Sequence, residues 1–446
     1  MRSDGCRASR RGGMHRIAAF AAVAGLLLLI LACREPLVVR SAADGAAGGT
    51  PAPEWTVAVY MSGDNELEGR AIEDLNEMEA AAIDDSRVRV LVLIDRATGH
   101  SAAAGDWSGS RLYRVAPDPL GMSAAIVSKR LDSDRLGLSA DDESELNTGA
   151  PATLAAFTAH VADAYPDSRK ALVLWGPGSG YRSVSVDDGS GGDPLETGEL
   201  SRALDGTHLD AVGLDLAFGA QIEIAAELAP VADTLVASQQ TVGTDGWDYR
   251  RFLTELAADP DPNGAVARAA DVAFAARYAG TPGACIAAID LARISGVREA
   301  LNDLSAALAG EADSAPRRDA LREALFGGVE SFYRTPGDLN LDLADLAAVA
   351  EDEYPAVAGD AGALRSAVQA AVTSSWCAAG AHERANGLSV HYVPLDASGY
   401  AYPPHADEYF ADRIVDAPLR FASGSRWVPD ETAGAGLLYR LWYEAM

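Results

Sequence analysis

Few residues in this chain of 446 are both reactive in type and placed where reactivity could be used. The segment Trp175-Gly176-Pro177-Gly178-Ser179-Gly180 closes an apolar run and carries a serine in a glycine-rich turn. A serine hydroxyl needs a positioned base before it attacks anything, and the nearest histidines in sequence, His160 and His208, fall in other elements. The turn has no Gly-Lys-Ser/Thr ending, so it is not a phosphate-binding loop. Asp187-Asp188-Gly189-Ser190-Gly191-Gly192-Asp193 has the composition of a calcium loop but not the ligand spacing of an EF-hand, and reads as a solvated loop. Asp338, Asp342 and Asp345 gather near a helix start, where acids suit the helix dipole, and are assigned no chemistry. Cys6 and Cys33 lie in the leader. Cys285 and Cys377 remain, and outside the cytoplasm they either form one disulfide or stay as two buried thiols.

The elements that must position these residues begin after an export signal. Arg10, Arg11 and Arg16 precede an unbroken apolar run from Ile17 to Ala32, the layout of a secretory signal. That run is short for a membrane-spanning helix. Ile30-Leu31-Ala32-Cys33 resembles a bacterial lipobox, which makes Cys33 the lipidation site and residues 1–33 a lipoprotein signal peptide. Met14 is an alternative start, and Arg34 after Cys33 is compatible with an outer-membrane address where the cell has one. Residues 34–54, rich in Ala, Gly and Pro, read as a flexible tether. The formal charge of −29 becomes more negative once the basic leader is removed, which disfavours nucleic acid and favours cations, basic peptides or simple solubility.

Short, nearly all-apolar strands then alternate with helices. Strands are predicted at 55–61, 88–94, 171–175, 211–216 and 234–238, with helices at 67–83, 153–164, 200–204, 222–228 and 265–278. This alternation implies an α/β fold with a mostly parallel sheet covered on both faces. From about residue 293 the pattern turns to Ala/Leu-rich helices near 295–310, 316–332, 341–352 and 361–376. A strand at 387–393 and an aromatic tail follow. The organisation predicted is therefore a domain over 55–292 and a mainly helical region over 293–446.

Several motifs, in order, carry a resemblance. Trp55-Thr-Val-Ala-Val-Tyr-Met-Ser-Gly-Asp-Asn-Glu-Leu-Glu68 and Glu73-Asp74-Leu75-Asn76-Glu77-Met78-Glu79 open the series. Ile94-Asp95-Arg96, Trp107-Ser108-Gly109, Asn147-Thr148-Gly149, Asp245-Gly246-Trp247-Asp248-Tyr249 and Ala385-Asn386-Gly387-Leu388-Ser389 continue it. Together they resemble the clostripain family of caspase-type cysteine peptidases over about residues 55–395. The resemblance implies a caspase-like three-layer α/β/α sandwich. It also implies a histidine and a cysteine beyond the ends of two neighbouring strands, where backbone N–H groups face a developing oxyanion. The family's histidine stretch reads Trp-Asn-His-Gly; here it reads Trp175-Gly176-Pro177-Gly178, which puts Pro177 at the histidine. Its Asp-Ala-Cys stretch reads Asp215-Leu216-Ala217, which puts Ala217 at the cysteine.

The resemblance also implies that Asp215 and Asp245 help line a pocket for an Arg or Lys side chain, a pair suited to charge-assisted binding of a guanidinium. Strand-end and turn-capping roles for the same two acids stand beside that reading. No cofactor is predicted; calcium enters only because relatives of this family can depend on it. The expected function is an exported pseudopeptidase that binds basic peptides or protein partners at the cell envelope, attached to the membrane through lipid. The alternatives are an active Arg/Lys-directed peptidase with a rearranged site, and an assembly protein whose pocket is unused.

Overall fold

A strand covered on both faces must be apolar at every position, and the runs at 55–61, 88–94, 171–175 and 211–216 meet that condition. The computed structural model describes residues 54–391, apart from 82, 123–124 and 334–338. Cys33, most of the tether and the aromatic tail lie outside the described residues. The chain forms β1 (Trp55–Gly63), β2 (Val88–Arg96), β3 (Gly109–Arg114), β4 (Lys129–Arg130) and β5 (Arg169–Trp175). It continues with β6 (Ser183–Asp187), β7 (Asp193–Glu196), β8 (Leu209–Asp215), β9 (Ala232–Ala237) and β10 (Cys285–Asp290). Four short strands close the series: β11 (Ser331–Phe332), β12 (Asn340–Asp342), β13 (Val372–Cys377) and β14 (Ser389–His391).

The main sheet has nine strands in the order β13-β10-β9-β8-β5-β1-β2-β3-β4. Its middle, β9-β8-β5-β1-β2, is parallel. The pairs β9–β10, β10–β13, β2–β3 and β3–β4 are antiparallel. Along β1 the side chains alternate between two cores: Val57, Val59 and Met61 belong to one, Ala58 and Tyr60 to the other. The first core is closed by helices Glu68–Ala80, Tyr249–Ala258 and Ala265–Tyr278 through Ile72, Leu75, Phe252 and Phe274. The second is closed by Pro151–Ala164, Ile222–Leu228 and Ile294–Glu311, with Phe157, Ile224 and Leu301 buried between them and the sheet. This is the three-layer, mostly parallel α/β/α architecture that the sequence implies.

Beyond residue 293 the described chain is mainly helical, with Ala315–Gly328, Leu343–Glu353 and Ala358–Ala371 following Ile294–Glu311. It also returns to the main sheet. The helix expected over 361–376 stops at Ala371, and Val372–Cys377 becomes β13 on the edge of β10. Cys285 and Cys377 stand opposite one another across that pair and are joined by a disulfide. Of the two states open for these cysteines in the sequence, the bridged one is present. The late strand expected over 387–393 is present as Ser389–His391 and pairs with β12, not with the main sheet.

A buried ion pair fixes the far side of β2. The side chains of Arg96 and Glu68 are 0% and 1% exposed, and Arg96 Nε donates to Glu68 Oε1 at 2.6 Å. The other Arg96 nitrogens donate to the carbonyls of Ala103 and Ser101, and the Ser101 N–H donates to Glu68 Oε2 at 2.8 Å. The Trp107 ring lies over the guanidinium at 4.5 Å. Among the described residues no helix is long and apolar enough to cross a membrane.

Candidate functional site

In an open parallel sheet the backbone diverges at the carboxyl ends of strands where the order reverses, and a crevice forms there. The parallel order β2-β1-β5-β8-β9 reverses between β1 and β5. A cavity of about 350 Å³ opens at this end of the sheet. Glu66 and Leu67 after β1, Gly176 and Pro177 after β5, Leu216 and Ala217 after β8, and the loop Thr241–Thr244 with Gly246 form its walls, with Trp175 and Asp215 at the strand ends. The loops after β5 and β8 touch. A Cβ on Gly178, whose φ is +56°, would lie 2.7 Å from Leu216 Cβ and 3.1 Å from the Ala217 nitrogen, so only glycine fits there. Phe218 takes φ +58° just after Ala217, an unusual conformation for a bulky residue. It is held by its N–H donating to the Gln240 carbonyl at 3.1 Å and by packing with Ala217 against Phe332.

The structure brings Pro177, Ala217 and Asp215 to one cavity and leaves Asp245 outside it. The Asp245 side chain is 62% exposed and pairs with Arg70 at 3.0 Å. The acid that joins Asp215 is Asp74, from helix Glu68–Ala80. A Cβ on Gly246 would approach Asp215 Oδ2 at 2.7 Å and Asp74 Oδ2 at 3.2 Å, so the glycine lets both carboxylates meet under the loop. Asp74 Oδ2 accepts from Trp175 Nε1 at 2.7 Å. Asp215 Oδ2 accepts from the Trp247 N–H at 3.0 Å and the Tyr249 hydroxyl at 2.9 Å, while its buried Oδ1 meets no donor among the described residues. Asp74 was legible in principle. With Ala71, Leu75 and Met78 it lies on the buried stripe of its helix, where an acid is out of place unless something uses it.

Both carboxyls are shifted. Burial raises Asp215 to about 6, against the opposing pull of the Trp247 and Tyr249 donors. Burial and then the charge of Asp215 push Asp74 well above the ordinary carboxylate range. A carboxyl whose pKa rises on folding holds more protons folded than unfolded, so its contribution falls as pH climbs from about 4 through about 6 and is flat above that. Urea unfolding at pH 4.5 and pH 7.5 is therefore expected to show wild type losing about 1–3 kcal/mol more than Asp215→Asn across that interval. Equal pH dependence in the two proteins would contradict the assignment.

No histidine, cysteine or serine lines the cavity among the described residues; its hydroxyls are those of Thr241 and Thr244. His160 bonds Ser133 at 3.0 Å, His208 faces Asp233 at the surface, and His382 is held by Glu330 and Gln240. None of these imidazoles belongs to the cavity wall, and Cys285 and Cys377 are bonded to each other. Among the described residues, the cavity wall offers a hydrogen-bonding, acidic floor and two threonine hydroxyls.

The fold and sequence have known relatives. Clostripain of Hathewaya histolytica is 26% identical over 234 residues, a stretch covering 47% of this chain and 43% of that protein, so the chain spans less than half the length of that curated relative. A secreted C11 cysteine protease from Bacteroides thetaiotaomicron, solved with an irreversible peptide inhibitor, superposes with a TM-score of 0.60 at 19% identity, over 84% of this chain and 99% of that one. An inactive zymogen of a C11 protease from Parabacteroides distasonis gives 0.57 at 16% identity, over 78% and 93%. The model of the clostripain family, whose members are cysteine peptidases, matches residues 59–367, and this chain belongs to that family.

Proposed function

We propose that this chain is an exported, lipid-anchored clostripain-family pseudopeptidase that holds basic side chains of a peptide or protein partner without cutting the chain that carries them. The observation supporting it is the lining of the cavity, where Pro177 and Ala217 occupy the positions assigned to base and nucleophile. A proline nitrogen within a peptide bond accepts no proton, and an alanine methyl has no lone pair. Removing either member of such a pair forfeits most of the rate enhancement. The acidic floor is kept. Asp215 Oδ1 is free for a charge-assisted bond to a guanidinium or ammonium group, Asp74 lies beside it, and Glu66 stands at the wall. Asp245, bound to Arg70 outside the cavity, contributes at most through the loop that it anchors. The secreted Bacteroides relative and the Ile30–Cys33 segment support export and lipid attachment at the envelope.

Purified protein is expected to release no reporter from Arg- or Lys-ester and peptide substrates. Calorimetry is expected to detect binding of an Arg-containing peptide, weakened about tenfold or more in Asp215→Asn. Turnover that copurifies with the protein through successive columns would sink the proposal. So would peptide binding that is indifferent to Asp215. Installing Pro177→His with Ala217→Cys asks the converse question, and Arg-directed cleavage by the double variant is the expected gain.

A further inference from the structure

Two acids of the cavity are left without a countercharge, and they stand at different depths. Asp215 is 4% exposed at the end of β8, and its Oδ1 meets no donor among the described residues. Glu66, in the turn after β1, lines the same cavity from its exposed wall. Among the described residues, the Glu66 carboxylate accepts no hydrogen bond and meets no arginine or lysine. Asp245, the second acid that the sequence suggests for this pocket, is turned outward onto Arg70. Glu66 is thus the carboxylate that remains open to a ligand whose first contact is Asp215.

Glu66 is not unpaired for want of cations nearby. Arg70 follows it at i+4, the spacing at which helical ion pairs form. Yet the Arg70 guanidinium goes to Glu73 at 2.6 Å and to Asp245 at 3.0 Å. Arg277 donates to Glu77 and to the Asp245 carbonyl. Of the two lysines in the chain, Lys170 sits at the amino end of β5, away from the cavity, and Lys129 lies in β4 at the sheet's far edge. An open carboxylate on an exposed wall would mean little by itself. The buried, unpartnered oxygen of Asp215 in the same cavity gives it direction, since such an oxygen costs free energy until a ligand supplies a donor.

Strand geometry sets how far apart the two acids start. β8 and β1 pair with opposite sides of β5, and Asp215, Trp175 and Met61 stand level across the three strands. Neighbouring strands are about 4.8 Å apart, so the segments carrying the two acids leave the sheet about 10 Å from one another. One guanidinium seated on Asp215 does not reach that far. In an extended peptide, alternate side chains point to one face from Cα atoms about 7 Å apart, and long flexible side chains splay over the remainder. Adjacent side chains point to opposite faces.

We infer that the ligand of this cavity is an extended peptide segment with cationic side chains on alternate residues, one seated on Asp215 and the other on Glu66. The inference rests on the peptide-holding role proposed above and adds the Glu66 subsite to it. The two seats differ in strength. The Asp215 contact is desolvated and charge-assisted, and carries most of the affinity. The Glu66 contact is made at the surface, where water and salt screen it, so it selects among ligands more than it tightens them. Pro177, Leu216 and Ala217 line the same cavity and bring no charge of their own.

The test is calorimetry on the intact protein in about 0.15 M salt, with three blocked alanine peptides that carry a single Arg, Arg-Ala-Arg, or Arg-Arg. The last two have the same charge and differ only in spacing. Arg-Ala-Arg is expected to bind about three- to fivefold tighter than the single-Arg peptide, and Arg-Arg to bind like the single-Arg peptide. In Glu66→Gln, at an exposed position where folding is not at stake, all three are expected to bind alike. Asp215→Asn is expected to weaken all three. Equal binding of the three peptides by wild type, still dependent on Asp215, would overturn the inference and leave the peptide-holding role standing. So would an equal gain for Arg-Arg and Arg-Ala-Arg, or a gain that survives Glu66→Gln, because the second cation would then be answering the acidic surface at large. Absence of binding by all three would overturn that role and the inference together.

Discussion

Replacing Glu68 with alanine is expected to lower the unfolding free energy by about 3–5 kcal/mol. Arg96 would remain with its side chain 0% exposed, its charge facing the Ala103 and Ser101 carbonyls and the Trp107 face but no anion. The cost is that of an uncompensated buried charge, which exceeds the net worth of the pair itself. For that reason the double variant Glu68→Ala with Arg96→Met is expected to recover part of the loss, the signature of coupled residues in a mutant cycle. Urea midpoints at unchanged slope measure both quantities. A single-variant loss below about 1 kcal/mol would mean that water reaches the pair as it does at a surface.

Removing the Cys285–Cys377 bridge is expected to cost about 2–5 kcal/mol. The two cysteines are 92 residues apart in sequence, so the bridge closes a long loop and restricts the unfolded chain accordingly. The bridge also fastens β13, the one strand among the described residues after 293 that joins the main sheet. The comparison to make is of wild type against Cys285→Ala with Cys377→Ala, each with and without reductant. Reductant should lower the midpoint of wild type alone. If it shifts both proteins or neither, the loop is not closed by this bond.

What the sequence disclosed follows from how each element is solvated. β1, β2, β5 and β8 were legible because both faces are buried, which forces every side chain to be apolar. β13 was not. Val-Thr-Ser-Ser-Trp-Cys sits on an edge with none of its six residues fully buried, and it follows an alanine-rich helix whose pattern runs into it unbroken. β10, with two alanines in Cys-Ile-Ala-Ala-Ile-Asp, has similarly weak strand chemistry. At the cavity, the positions of Pro177, Ala217 and Asp215 came from the resemblance to the family's motifs, which the apolar strands before them kept in register. Asp74 and Asp245 were not separable in the same way. One is carried inward by helical phase and the other outward by a turn, and that difference depends on how the loop after β9 folds back.

The placement of β13 bears on how this protein can be divided. A fragment ending at residue 292 would contain every strand of the parallel middle and would look complete by that measure. It would also lay bare the whole outer flank of β10, with open N–H and C=O groups along an apolar sequence, and would leave Cys285 as a lone thiol. Such a flank recruits other chains. Self-association of that fragment, prevented by restoring residues 293–391, would show that the helices after residue 293 act partly as a carrier that delivers one short strand to where it seals the sheet.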